Sequence, residues 1–374
     1  GLKEMLADEI TSDLRAIRAR ATDLAAQRAQ PVTLPLASKG IRYGSIRVSP
    51  SGVVDTSGVQ GVDPDLRVRP FFAQGGTISM REFLVGAFNA EMGVEGSDAL
   101  LHTAASGGRV VTPAGMVLDG SLDRIERPPA ANEADDPDRD GVRDELPVAL
   151  VDYMEFYLLN YFKPAVLEQS RLAQAGRQVF EGIGCASCHV PDLRIERDRR
   201  VADVETRFDP VRGVFNRLFA TATPRMLAVD DGSGFAPIQS PARQAFVVRN
   251  FFADLKRHDL GPAFAERNYD GTTTTQFMTE PLWGVGSTAP YGHDGRSINL
   301  REVVLRHGGE ARRSREAFAS LPEGAQLALF EFLETLVLFP PDDTASNLDP
   351  GDPSTPGFPQ KGHGSIKLGA LFDD

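Results

Sequence analysis

The chain has 374 residues, 41% of them hydrophobic and 25% charged, with a formal net charge of −12 and a pI near 5.1. That acidic balance argues against nucleic acid or an anionic membrane as partner and permits a basic redox partner. The length allows two or three domains, and no run approaches the ~18 uninterrupted apolar residues of a membrane-crossing helix.

Along the chain, Leu2, Leu6, Ile10, Leu14, Ile17, Ala21 and Leu24 recur three or four apart, which predicts an amphipathic helix over residues 2–26. Ile41 to Val48 reads as a strand, ended by a turn at Ser51-Gly52. Arg81 to Met92 reads as a helix that Gly93 stops. Residues 104–141 are rich in Gly, Pro and Asp and predict irregular structure. A strongly apolar helix over 146–162 follows, closed by Pro164. Its stripe of large side chains reads as core. Further helices are predicted from Val166 to Ile183 and from Pro322 to Leu338. The tail, 341–374, has too little apolar content for a core of its own and predicts an extended surface segment.

Between the last two helices stands Cys185-Ala186-Ser187-Cys188-His189, and these are the chain's only two cysteines. Cys-x-x-Cys-His is the attachment signature of a c-type haem. Each thiol adds across a vinyl group, and the adjacent histidine ligates the iron. A thioredoxin-like pair would follow a strand, whereas the segment before Cys185 reads as a helix. A zinc site would need a second Cys or His pair at ligand spacing, and none exists. The implied cofactor is one covalent haem c. Its cysteine attachment takes place outside the cytoplasm, so an exported periplasmic or extracellular protein is expected. No leader is visible at Gly1, which implies that it was removed or that the chain begins part-way through its gene product.

The helix before the motif carries Gly176 and Phe180 one turn apart, and the last helix carries Leu329, Phe332, Leu333 and Leu336 on one face. The pair is similar to the crossing first and last helices of small c-type cytochromes, with glycine at the close approach. The expected architecture is mainly α. It comprises an irregular α+β domain over 1–164, a cytochrome c-like haem domain over 165–340, and the tail.

Haem iron takes a sixth ligand for electron transfer or leaves that position open for catalysis. His102, His258, His293, His307, His363, Met226 and Met278 are the candidates, and spacing alone does not choose among them.

The string Glu-Pro-Leu-Trp-Gly-Val-Gly-Ser-Thr-Ala-Pro-Tyr-Gly-His-Asp-Gly-Arg from Glu280 to Arg296, followed by Leu300 to Glu310, resembles the bacterial di-haem cytochrome c peroxidase superfamily. The nearest likeness is to its di-haem, thiol-oxidoreductase-like branch. Val68 to Phe72, Arg81-Glu-Phe and Asp144-Glu-Leu also resemble that branch. In the superfamily, the distal ligand of the second haem stands seven residues after a leucine in the helix following His-Asp-Gly. From Leu300 that position is His307, which implies a bis-histidine iron ligated by His189 and His307. Met278 and His293 are the alternatives. The resemblance also implies a calcium ion held partly by backbone oxygens of Thr288 and Pro290. The chain departs from the family in one respect: residues 1–184 contain no cysteine, so the earlier haem motif is missing. Peroxidase activity belongs to that other haem and is not carried over.

An acidic loop offers Asp136, Asp138 and Asp140 at alternate positions ahead of Gly141. With the Val142 carbonyl and Asp144, it has the oxygen spacing of a calcium loop. Pro147 stands where an EF-hand needs its last glutamate, so a single Asp-rich calcium loop is expected. The alternative is a solvated acidic turn leading into a helix. Trp283, the lone tryptophan, is expected to pack near the haem. Two functions follow from the sequence: an electron-transfer cytochrome serving a redox partner protein such as another cytochrome, or part of a di-haem peroxidase or oxidoreductase whose catalytic haem lies elsewhere.

Overall fold

In the computed structural model the described residues combine helices with strands, a mixed α/β architecture rather than a clearly mainly α one. The structure describes residues 1–160, 163–167, 169–200, 203–204, 238–239 and 243–339. The expected tail, Met226 and His363 lie outside the described residues.

Helix α1, Leu2–Arg28, buries Met5, Leu6, Ile10, Leu14, Ala21 and Ala25 and ends at Ala29 in the left-handed conformation. The stripe lies on a three-stranded antiparallel sheet of Val32–Ser38, Ile41–Val48 and Val54–Asp55. The first two strands turn through Lys39 (φ 49°) and Gly40 (φ 80°), the two positive dihedrals of a tight hairpin that matches strand twist. The same core cluster takes in Leu193, Ile195, Phe251, Leu255 and Met278, so α1 and its sheet pack directly against the segments around the cysteine motif.

Helices α2 (Met80–Met92), α3 (Ala99–Ala105) and α4 (Val148–Asn160) form a second unit with the hairpin Arg109–Val111 and Val117–Asp119. Gly93 ends α2 at φ 69°. The buried Arg81 guanidinium joins this unit through carboxylates of Asp98 (2.6 Å), Asp152 (2.7 Å) and Glu155 (3.0 Å). The hairpin lies inside a stretch whose Gly and Pro content predicted irregular structure. Its turn, Thr112 to Gly115, uses those residues.

Helix α5, Arg171–Gly182, starts where the Ser170 hydroxyl accepts from the Ala173 amide at 3.0 Å. The helix expected from Val166 therefore begins later, because Lys163–Val166 is a strand paired with Leu336–Phe339. The last helix stops at Glu334 for the same reason. The helices α6 (Leu300–Arg306), α7 (Arg312–Ala319) and α8 (Glu323–Glu334) complete the helices among the described residues. A Cβ on Gly176 would stand 1.8 Å from the Ala328 carbonyl oxygen, so α5 and α8 cross backbone to backbone there. Phe180, Phe252 and Phe332 pack edge to face below the crossing, at centroid separations of 5.5–5.7 Å. No helix among the described residues is long and apolar enough to cross a membrane.

Candidate haem-binding site

Helix α5 leads into the cysteine motif through Gly184 at φ 90°. Cys185–Ser187 then form one 3-10 turn, closed when the Cys188 amide donates to the Cys185 carbonyl at 3.3 Å, and the His189 amide donates to the same oxygen at 3.0 Å. The reversal brings Cys185, Cys188 and His189 to the wall of one cavity of about 610 Å³. Phe180, Leu282, Leu300, Val304, Leu329 and Leu333 supply much of the remaining wall, and His307 stands in it as well.

The two histidines are prepared alike. His189 Nδ1 lies 3.0 Å from the Phe252 carbonyl, and His307 Nδ1 lies 2.7 Å from the Val303 carbonyl. A carbonyl only accepts, so each Nδ1 carries the proton and each Nε2 keeps its lone pair. Burial drives the His189 pKa down to about 4, helped by the neighbouring His307, and burial likewise lowers His307. Both are neutral imidazoles at neutral pH, the form that ligates a metal. Burial raises the Cys185 thiol to about 11. Both cysteines are free of disulfides.

The Ala-Pro-Tyr-Gly-His-Asp-Gly string positions His307 from the outside. Asp294 holds Arg306 through two contacts, 2.6 Å to Nη2 and 3.1 Å to Nη1. Burial opposes the Asp294 charge, but these bonds bring its pKa down to about 2. Arg306 lies 4.4 Å over the Phe264 ring, which meets the His307 ring edge-on at 5.3 Å. Tyr291 donates to the Val285 carbonyl at 2.9 Å and fixes the loop between them.

The alternatives stand nearby. Met278 is buried and lines the cavity, with its backbone paired to Arg257. His293 stacks on Phe277 at 4.0 Å with its Nε2 3.6 Å from Glu266, and it also lines the cavity. Trp283 packs edge-on against Phe251 at 5.0 Å, and its buried Nε1 has no hydrogen-bond partner among the described residues. Thr288 and Pro290 lie in the wall too, with the Thr288 hydroxyl donating to the Gly284 carbonyl at 2.8 Å. His102 belongs to α3 and does not line the cavity.

One group in the wall was not singled out by spacing. His258 Nε2 lies 2.8 Å from Asp254 and Nδ1 2.8 Å from Glu310, with Cys188 Sγ 3.9 Å from Nδ1. Burial disfavours the His258 cation, but the Asp254 and Cys188 contacts and the Asp254 charge together raise its pKa to about 11. No sequence interval links 254–258 with 310, so only the tertiary fold could reveal the group.

The donor set fits a covalent haem: two thiols and two neutral imidazoles with free Nε2 atoms on one apolar cavity, and an unpartnered indole N–H beside them.

Residues 198–336 match a family model described as "Di-haem oxidoreductase, putative peroxidase". The di-haem oxidoreductase match covers a little over a third of the chain. It includes His258, the Ala-Pro-Tyr-Gly-His-Asp-Gly string and His307, and it begins after Cys185 to His189. The di-haem oxidoreductase family implies a haem cofactor and oxidoreductase chemistry of a cytochrome-like kind. No curated protein and no solved structure matches the chain.

Away from the cavity, carboxylate oxygens of Asp136, Asp138 and Asp140 lie within 4.8 Å of one another. The Gly141 amide donates to Asp136 (3.1 Å), Asp140 to Asp138 (3.1 Å) and Val142 to Asp140 (2.7 Å). Asp144 stands outside this trio, at φ 50°. Glu95, which spacing did not suggest, accepts from the Asp138 amide at 3.1 Å.

Proposed function

We propose that the chain is a c-type cytochrome carrying electrons through one haem, attached at Cys185 and Cys188 and ligated by His189 and His307. The observation that carries this reading is the matched pair of buried imidazoles. Each is anchored through Nδ1 to a backbone carbonyl, and both stand on the cavity that the two thiols border. The haem, when bound, supplies a one-electron iron couple. The chain's own part is to keep both Nε2 lone pairs unprotonated, to exclude water with an apolar wall, and to hold the rings by backbone rather than by mobile side chains. Two imidazole ligands set a lower potential than a His/Met pair. A redox partner protein, such as another cytochrome, would serve this function, and cysteine attachment of haem, a chemistry carried out outside the cytoplasm, supports an exported protein.

The test is haem stoichiometry with the ferric spin state. One haem should stay on the denatured polypeptide after acidic organic extraction, and the native ferric protein should be low-spin. Freely extracted haem would refute covalent attachment.

A second reading, suggested by the di-haem description of the matched family, has this domain feed a second haem on another segment or chain. Two haems per encoded polypeptide, with peroxide turnover that falls when His307→Ala alters this haem, would establish it.

The acidic loop is proposed as a calcium site, with Asp136, Asp138 and Asp140 as carboxylate ligands and Val142 and Asp144 completing the set. The support is the convergence of three carboxylates within 4.8 Å of one another, an oxygen set that a hard cation takes.

A further inference from the structure

His258 joins the loop that begins at His307 to the segment whose Phe252 carbonyl anchors the His189 ring. Its side chain is 8% exposed, and both ring nitrogens lie 2.8 Å from carboxylate oxygens. An ionised carboxylate only accepts, so both nitrogens donate and the ring is a cation held between Asp254 and Glu310.

Glu310 reaches further. Its other oxygen accepts from the Asp259 amide at 3.0 Å, and the Gly308 amide donates to the Leu260 carbonyl at 2.9 Å. A Cβ on Gly309 would stand 2.1 Å from the Asp259 carbonyl oxygen, so the loop after α6 lies directly on the strand Arg257–Asp259. That loop begins at His307, the C-cap of α6, where the helical backbone has already ended (φ −57°, ψ 114°). Within its own helix, His307 keeps only its ring bond to Val303 and its amide bond to Val304. On the other side, Asp254 stands two residues after Phe252, whose carbonyl fixes His189.

We propose that Asp254, His258 and Glu310 form an ionic clasp that positions His307 to serve as the second haem ligand, tying its loop to the segment whose Phe252 carbonyl anchors His189. The clasp rests on the reading of His189 and His307 as iron ligands. Its members are positioning residues that act through the loop 307–310. The inner half of the clasp is buried, whereas the Glu310 side chain is 54% exposed, so its outer half can be removed without opening the core.

The test uses the full-chain haem-loaded protein as wild type, Glu310→Ala, Glu310→Gln, His307→Ala and the His307→Ala/Glu310→Ala double variant. The mass of each denatured protein reports covalent haem, and the ferric spectrum and the rate of imidazole binding report the distal site. Glu310→Ala should keep its haem and bind imidazole about threefold faster or more, the ratio that a half-exposed ion pair sustains. Glu310→Gln, which can still accept, should fall between it and wild type. In the His307→Ala background, Glu310→Ala should change nothing further. A Glu310→Ala protein with a lower melting temperature but a wild-type imidazole rate would overturn the clasp and leave a merely structural contact. An equal effect in the His307→Ala background would overturn it too. Missing covalent haem, or a His307→Ala spectrum identical to wild type, would instead defeat the ligand reading beneath it.

Discussion

Gly176→Ala tests the helix crossing above the candidate haem site. In an exposed helix this change would stabilise by ~1 kcal/mol, because alanine restricts the unfolded chain. Here the new Cβ would stand 1.8 Å from the Ala328 carbonyl oxygen, 2.4 Å from its carbon and 3.0 Å from the Leu329 amide nitrogen. All three are backbone atoms, so no side chain can swing aside. The helices must separate by more than an ångström, and the Phe180, Leu329, Phe332 and Leu333 contacts loosen with them. Overpacking of this kind costs ~1–3 kcal/mol, and a backbone obstacle puts it at the upper end. Net of propensity, we expect a loss of ~2 kcal/mol, or about 4–8 °C in melting temperature. Gly182→Ala is the control: it lies in the same helix, and a Cβ there meets nothing within 4 Å. Thermal melts of the three haem-loaded proteins, followed at the Soret band and by circular dichroism, separate the effects. A Gly176→Ala melting temperature equal to or above wild type would refute the backbone crossing.

Three further outcomes are expected. Chelation of calcium should lower the melting temperature of the wild-type protein, and Asp138→Ala should remove that sensitivity; no response in either would leave only an acidic turn. His258 has its pKa raised from 6.5 to about 11. Its contribution to stability is complete below about 6.5 and fades as pH rises toward 11. Urea midpoints should therefore fall between pH 7 and 10 more steeply in wild type than in His258→Gln, and parallel profiles would contradict the ion triad. His307→Ala should give a high-spin ferric spectrum or one altered by added imidazole, whereas Met278→Ala should change it little. The reverse pattern would move the ligand to Met278.

What the sequence disclosed depended on how local the determining interactions are. The α1 stripe, the strand Ile41–Val48, the Gly93 stop and the haem signature are set by residues within a few positions of one another, and each is legible as a pattern. The α5–α8 crossing was legible through the likeness to small c-type cytochromes, which put a glycine at the close approach, and Gly176 stands there. The strand pair of Lys163–Val166 and Leu336–Phe339 was not legible. Leu336-Val-Leu-Phe339 is a short apolar run that suits a helix end or a strand equally, and only its distant partner decides. The Asp254–His258–Glu310 group escaped for the same reason, as did the Glu95 contact to the acidic loop. His307 was reached by resemblance rather than by physics; spacing left it level with Met278 and His293, and all three line the cavity.

The ferric spectrum of the haem-loaded protein, taken from the visible into the near-infrared, bears most directly on a haem held between His189 and His307. Two neutral imidazoles require a low-spin iron with no sulfur-to-iron charge-transfer band. A methionine band, or a high-spin iron at neutral pH, would contradict the bis-histidine site.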